Sequence, residues 1–189
     1  MSETNSFAPT LAHCGVYCWD VDKIAKFYCT VFDMQETDRG VGNTFPMTLV
    51  FLSARSDQHH QLALASGRAE GAPSTVMQLS FKVRAIDHLR EARRRALACG
   101  ATGMRGLNHG NALSIYFKDP EDNLVEVYLD TPWQVKQPHG DPLDLERADA
   151  DIWAETERIC RADATFEPAG DWAARFEQKQ HSLRTAKRS

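Results

Sequence analysis

The order of predicted structural elements repeats once along the chain, and this repeat limits the folds that are open to it. In the first copy of the repeat, the sequence predicts strands at 11–19, 35–39, 47–53 and 59–65, with a helix that begins at Asp20–Asp22. In the second copy it predicts strands at 76–83, 101–105, 112–117 and 124–129, with a helix from Ala85 to Gly100. Each copy therefore has the order strand, helix and three strands over about 55 residues. Two such incomplete sheets can bury their apolar faces by packing together.

This repeat predicts an α+β domain built from paired βαβββ modules. The predicted layout is a lead-in at 1–10, a domain at 11–130 with modules 11–67 and 74–130, and a helical C-terminal extension at 131–189. In the extension, Asp144 or Asp149 is the expected cap of one helix, and a second short helix follows Asp171. From Gln178 the chain is polar and basic, which predicts a disordered end.

Composition excludes several classes of partner. The formal net charge is −4 and the isoelectric point is near 6.0, so neither nucleic acid nor an anionic membrane is expected to bind. No apolar run approaches membrane-spanning length, and the N-terminus lacks the pattern of a signal peptide, which predicts a cytoplasmic protein. The five cysteines are an odd number with no disulfide framework, as expected for reduced thiols.

Glu126 is the most unusual residue in the last predicted hairpin. It alternates with Val125 and Val127 in the strand 124–129, so it faces the side of the sheet opposite to the valines. A carboxylate without a partner in the middle of a strand is costly, and a metal ion would make the position favourable. The alternative is a solvated glutamate on the open face of an antiparallel sheet.

Four segments carry a family resemblance when they are taken in order. They are Ala12-His13, His59-His60-Gln61-Leu62-Ala63-Leu64, Asn108-His109-Gly110, and the hairpin from Ile115 to Tyr128. With the repeat, they resemble the vicinal oxygen chelate superfamily over roughly residues 11–130. That superfamily includes glyoxalases, methylmalonyl-CoA epimerases, fosfomycin and bleomycin resistance proteins and type I extradiol dioxygenases, and the likeness is greatest to the dioxygenases. The resemblance implies that the paired modules form a curved mixed-sheet cup.

The resemblance also implies a divalent metal in the cup between the two units. His13 and Glu126 match two of the three ligands of the dioxygenases, and Gln78 stands where the third, a histidine, is expected. Three alternatives follow: Gln78 ligates directly, His59 or His60 supplies the third nitrogen, or the site has lost its metal and only binds a ligand. Fe(II) is the expected metal, with Mn(II), Zn(II) and Ni(II) as alternatives.

Three further residues match catalytic positions of the dioxygenases. The resemblance makes His60 an acid–base residue, His109 a hydrogen-bond donor to the substrate oxygen, and Tyr116 a residue that lies over the substrate oxygens. By residue type alone, His60 could be a solvated loop residue and Tyr116 a core aromatic.

Three functions remain open from the sequence. The first is an extradiol dioxygenase that cleaves the ring of a small aromatic, catechol-like substrate with O₂. The second is a metal-dependent isomerase or lyase of the glyoxalase and epimerase type. The third is a resistance protein that binds an aromatic small molecule without turnover. In each case a homodimer is expected, with the extension available to form the interface.

Overall fold

A computed structural model describes residues 9–44, 46–74 and 76–186 and divides the chain into two compact units, Met1–Thr75 and Val76–Ser189. Each unit contains one βαβββ module with its own mixed sheet, so the predicted α+β class and the repeat are confirmed. Most of the predicted lead-in, residues 1–8, lies outside the described residues. No helix of the described segments is long and apolar enough to cross a membrane.

The first unit folds as the apolar pattern predicts. Its elements are β1 (Cys14–Cys18), α1 (Val21–Phe32), β2 (Gln35–Val41), β3 (Thr48–Ser53) and β4 (Leu62–Ser66). The strand order is β1-β4-β3-β2, with β1 parallel to β4 and the other pairs antiparallel. The Asp20 side chain accepts a hydrogen bond from the amide of Lys23, so Asp20 is the N-cap of α1. The predicted strand at 59–65 begins only at Leu62, which leaves His59 and His60 in the preceding loop.

The second unit has β5 (Leu79–Lys82), α2 (Ile86–Ala98), β6 (Thr102–Asn108), β7 (Ala112–Lys118) and β8 (Leu124–Asp130). A short strand of the extension, β9 (Trp133–Gln134), follows, and β10 (Asp141–Pro142) pairs with β6 in the order β10-β6-β7-β8-β5. Only β5 and β8 are parallel. β6 is longer than the predicted strand at 101–105, and its register shifts between Thr102 and Arg105. β5 is shorter than predicted, so Gln78 lies immediately before it.

The turn between β7 and β8 fixes the register of the strand that carries Glu126. One carboxylate oxygen of Asp119 accepts hydrogen bonds from the amides of Glu121 and Asn123, and its other oxygen accepts one from the Asn123 side chain. The sequence predicts Asn123 as the residue that tolerates a left-handed backbone, but that conformation falls on Asp122 (φ 61°). Asn123 is needed instead for its side-chain bond to Asp119.

The first part of the extension packs on the second unit. Helix α3 (Asp149–Ala162) buries Ile152, Thr156 and Cys160. Arg90 of α2 donates to the carbonyl oxygen of Leu145 and forms an ion pair with Asp149. The predicted cap is wrong, because Ala148 is the N-cap and no side chain caps the helix.

The structure has a helix up to Ala186, in the region where the sequence predicts a disordered end from Gln178. After β11 (Glu167–Pro168), helix α4 runs from Ala169 to Ala186. Residues 178–186 contain neither glycine nor proline, and most of their side chains favour a helix. None of the α4 residues is buried, and Trp172, Phe176 and Leu183 are exposed. The homodimer stays a prediction, with this face available to it.

Candidate functional site

Glu126 is the centre of a hydrogen-bond network on one face of the second sheet. Its side chain is only 8% exposed, so the alternative of a solvated glutamate is wrong. The Oε1 atom accepts hydrogen bonds from the Ser114 hydroxyl at 2.9 Å and the Tyr116 hydroxyl at 2.5 Å. The Oε2 atom accepts from the Ser80 hydroxyl at 2.7 Å and the Gln78 amide nitrogen at 2.9 Å. All four donors are neutral, so the buried negative charge has hydrogen bonds but no cationic partner among them.

Strand register brings these residues together from distant parts of the sequence. Ser80 of β5 and Tyr116 of β7 are both directly opposite Glu126 of β8. The other face of β8 carries Val125 and Val127, which are fully buried. Because side chains alternate along a strand, the polar residues share the face opposite to the apolar core.

Tyr116 connects Glu126 to His109. The Tyr116 hydroxyl lies 2.9 Å from Nε2 of His109, and Nδ1 of His109 lies 2.6 Å from the carbonyl oxygen of His139. Burial, followed by the hydrogen bond to Glu126, raises the pKa of Tyr116, so the phenol keeps its proton.

The acceptor groups determine where the hydrogens lie in the hydrogen-bonded series His109, Tyr116 and Glu126. The carbonyl oxygen of His139 can only accept, so Nδ1 of His109 carries a hydrogen. Tyr116 has one hydroxyl proton and two neighbours, Glu126 and Nε2 of His109, that can each accept it. The single hydroxyl proton can occupy only one of these two contacts at a time. The three side chains form a hydrogen-bonded row along which a proton can move.

The loop that carries His109 is held by side chains outside the predicted set of site residues. The Gln137 side chain donates to the carbonyl oxygen of His109. Asn108 donates to the hydroxyl of Thr156 in α3 and accepts from the amide of Gly110. Asn108 enters the sequence analysis only as part of the segment Asn108-His109-Gly110, with no role of its own. Gln137 and His139 lie in a loop without any spacing pattern, so no signal in the sequence marked them.

The other predicted histidines lie in the first unit. The rings of His13 and His60 are 4.3 Å apart, and Nδ1 of His59 is 3.0 Å from Nδ1 of His60. Burial, with smaller effects of His13 and His59, lowers the pKa of His60, which favours a neutral imidazole. The structure thus brings two predicted site residues, His13 and His60, into contact, and it brings Gln78, His109, Tyr116 and Glu126 together in the second unit.

The residues around Glu126 fit a divalent cation. No group of three or more His, Cys, Asp or Glu side chains within 9–44, 46–74 and 76–186 is arranged to hold a metal, but glutamine is not among those types. The Gln78 amide is adjacent to Oε2, and turning it over would present its oxygen instead of its nitrogen. Oε1 would stay fixed by Ser114 and Tyr116, as is usual for a carboxylate that binds a metal.

Comparisons with known proteins agree with this fold. The sequence profile of the Glyoxalase/Bleomycin resistance protein/Dioxygenase superfamily matches residues 10–127. No curated protein sequence gives a significant match. Similar solved structures include the fosfomycin resistance protein FosX of Listeria monocytogenes, complexed with Mn(II) and sulfate (20% identity, TM-score 0.52, 66% of this chain and 95% of that chain). Others are FosX of Mesorhizobium loti (22%, 0.51, 66% and 94%) and a domain of the same superfamily from Frankia sp. EAN1pec (20%, 0.51, 66% and 99%). At these sequence identities, the similarity to the solved structures is evidence for the fold alone.

Proposed function

Because this chain belongs to the glyoxalase/bleomycin resistance protein/dioxygenase superfamily, we propose that it is a metal-dependent enzyme that moves a proton on a small, oxygen-bearing molecule. In this proposal Glu126 and Gln78 of the second unit supply oxygen ligands to a divalent cation. When bound, the cation supplies Lewis acidity to an oxygen of the substrate. The same site can be loaded with Mn(II), the metal in the Listeria protein, or with Fe(II), the metal expected from the sequence.

The environment of Glu126 carries this proposal. A buried carboxylate is favourable when it is paired with a cation or bound to a metal, and here its four hydrogen-bond donors are neutral. Gln78 is the only one of these donors that also has a carbonyl oxygen, which is a suitable ligand for a hard divalent cation.

Tyr116 and His109 do the proton chemistry in this proposal. Tyr116 keeps its proton because burial and Glu126 raise its pKa, and it lies on the same face as Gln78 and Glu126. A proton that the Tyr116 hydroxyl gives to the substrate is replaced by one that Nε2 of His109 takes up from solvent and passes to the phenol oxygen. The carbonyl oxygen of His139 fixes the orientation of the imidazole for this transfer.

Replacing Tyr116 by phenylalanine tests this role. We expect proton exchange to slow by about 10²- to 10⁴-fold, because the variant loses the hydroxyl between His109 and the substrate. The measurement is deuterium incorporation by NMR when the Mn(II)-loaded protein acts on a panel of small hydroxyketones and 2-oxoacids. Tyr128→Phe is the matched control, since Tyr128 lies on the same strand face but makes no bond to Glu126 or His109 in the described structure. Equal rates in wild type and Tyr116→Phe would remove the tyrosine from the mechanism.

A second candidate is the extradiol dioxygenase. The contact between His109 and Tyr116 favours it, because these residues match two catalytic positions of that family. In this case iron affinity is limited by Gln78, so Gln78→His should raise Fe(II) affinity by about tenfold and increase ring cleavage of catechols. Anaerobic Fe(II) titration and oxygen uptake measure the two effects. If neither quantity changes, Gln78 does not occupy the ligand position.

A further inference from the structure

An arginine extends the row of polar side chains that Ser80, Glu126 and Tyr116 form across the second sheet. Arg105 of β6 is opposite Tyr116 of β7, which is opposite Glu126 of β8, which is opposite Ser80 of β5. Directly opposed residues project to the same face, so four side chains form one line across four strands. Arg105 is the positive end of this line, and Glu126 is its negative residue.

The guanidinium of Arg105 is open to a ligand. Its central carbon lies 5.3 Å from the centre of the Tyr116 ring, and the residue is exposed. By contrast, Arg90, Arg93 and Arg94 on α2 each form an ion pair with a carboxylate. Within the described segments no ion pair includes Arg105, so its planar set of donors is available to an anion.

The distances along the row match a small molecule. Neighbouring strands are about 4.8 Å apart, so the backbones of Arg105 and Glu126 are about 10 Å apart. The guanidinium of Arg105 leans over the Tyr116 ring, towards Glu126. A ligand with an acidic group at the guanidinium would have its other end near Gln78 and Glu126. The negative charge of Glu126 opposes the reverse orientation, so the row also fixes the direction of binding.

We propose that Arg105 is the anion-recognition residue of this face and that the ligand of the protein is a small molecule with a carboxylate, phosphate or phosphonate group. Arginine binds each of these groups through two parallel hydrogen bonds, which a lysine cannot reproduce. This assignment rests on the proposed function in one respect, namely that the substrate lies on the face that carries Glu126.

The test uses the full-length protein without metal, so that it does not depend on the metal site. The probes are benzoate and phenylphosphonate, with benzamide as a neutral molecule of the same shape, and binding is measured by ligand-observed NMR titration. The variants are Arg105→Met, which keeps the length but not the charge, and Arg105→Lys, which keeps the charge but not the planar donors. Arg94→Met is the matched control, because Arg94 is an exposed arginine paired with Glu91 on α2.

We expect wild type to bind the two anions more tightly than benzamide. Arg105→Met should weaken anion binding by about tenfold or more and leave benzamide unchanged, with Arg105→Lys between the two. Arg94→Met should bind as wild type does. The assignment is overturned if wild type does not prefer the anions, if Arg105→Met retains the preference, or if Arg94→Met loses it equally. Loss of metal binding with the anion preference intact would contradict the proposed function alone.

Discussion

Replacing Glu126 by glutamine is expected to weaken the binding of Mn(II) by at least about 100-fold. The change removes the only carboxylate of the network while it keeps the size and shape of the side chain. It also puts an amide nitrogen where one carboxylate oxygen accepts two hydrogen bonds, so one end of the network must be rearranged. Isothermal titration of the metal-free protein with Mn(II) measures the effect.

The control for this change is Glu70→Gln. Glu70 is exposed in the segment between β4 and β5, and the change removes the same charge from the chain. Equal affinities in the control and in wild type would exclude a general effect of net charge. If Glu126→Gln bound Mn(II) as tightly as wild type, Glu126 would not be a metal ligand.

Replacing Gly110 by alanine is expected to lower the free energy of unfolding by about 2–4 kcal/mol. Gly110 has a φ of +72°, which is unfavourable for any residue with a Cβ atom. An added Cβ would also lie 2.5 Å from Cγ2 of Val135 and 3.3 Å from Sγ of Cys160, and both side chains are buried. Urea denaturation measures the loss, and it should be accompanied by a change in the environment of the adjacent His109.

Gly40→Ala is the matched control for the backbone. Gly40 lies in β2, and an added Cβ would have open space around it. This variant should be as stable as wild type or slightly more stable, because alanine restricts the unfolded chain. If Gly110→Ala were no less stable than Gly40→Ala, the loop that holds His109 could move away from Val135 and Cys160 at little cost.

The apolar pattern of the sequence was sufficient to predict the two βαβββ modules. The stripe of Ile24, Phe27, Tyr28 and Val31 is buried in α1, and the alternation around Glu126 correctly separates a polar face from an apolar one. These features depend on local periodicity, which a single sequence carries. The extent of α4 was missed because a polar, basic composition does not distinguish an exposed helix from disorder.

The hydrogen-bond partners of the site residues could not be predicted from local periodicity. Ser80 and Glu126 are 46 residues apart, and their contact depends on the parallel register of β5 and β8. His109 is oriented by a backbone carbonyl, that of His139, and any residue type supplies such a group. Nothing in the sequence distinguishes His139 from a surface residue, but its side chain is only 18% exposed, and its Nε2 atom lies 3.0 Å from Asp141.

The measurement that tests the metal-dependent function most directly is the stoichiometry of Mn(II) and Fe(II) binding by the wild-type protein, determined anaerobically after removal of all metal. A metal site at Gln78 and Glu126 predicts about one divalent ion per chain, with binding that is lost in Glu126→Gln. If neither ion binds, the metal-dependent function proposed here is contradicted. If both ions bind equally well to Glu126→Gln, the network around Glu126 is not the metal site.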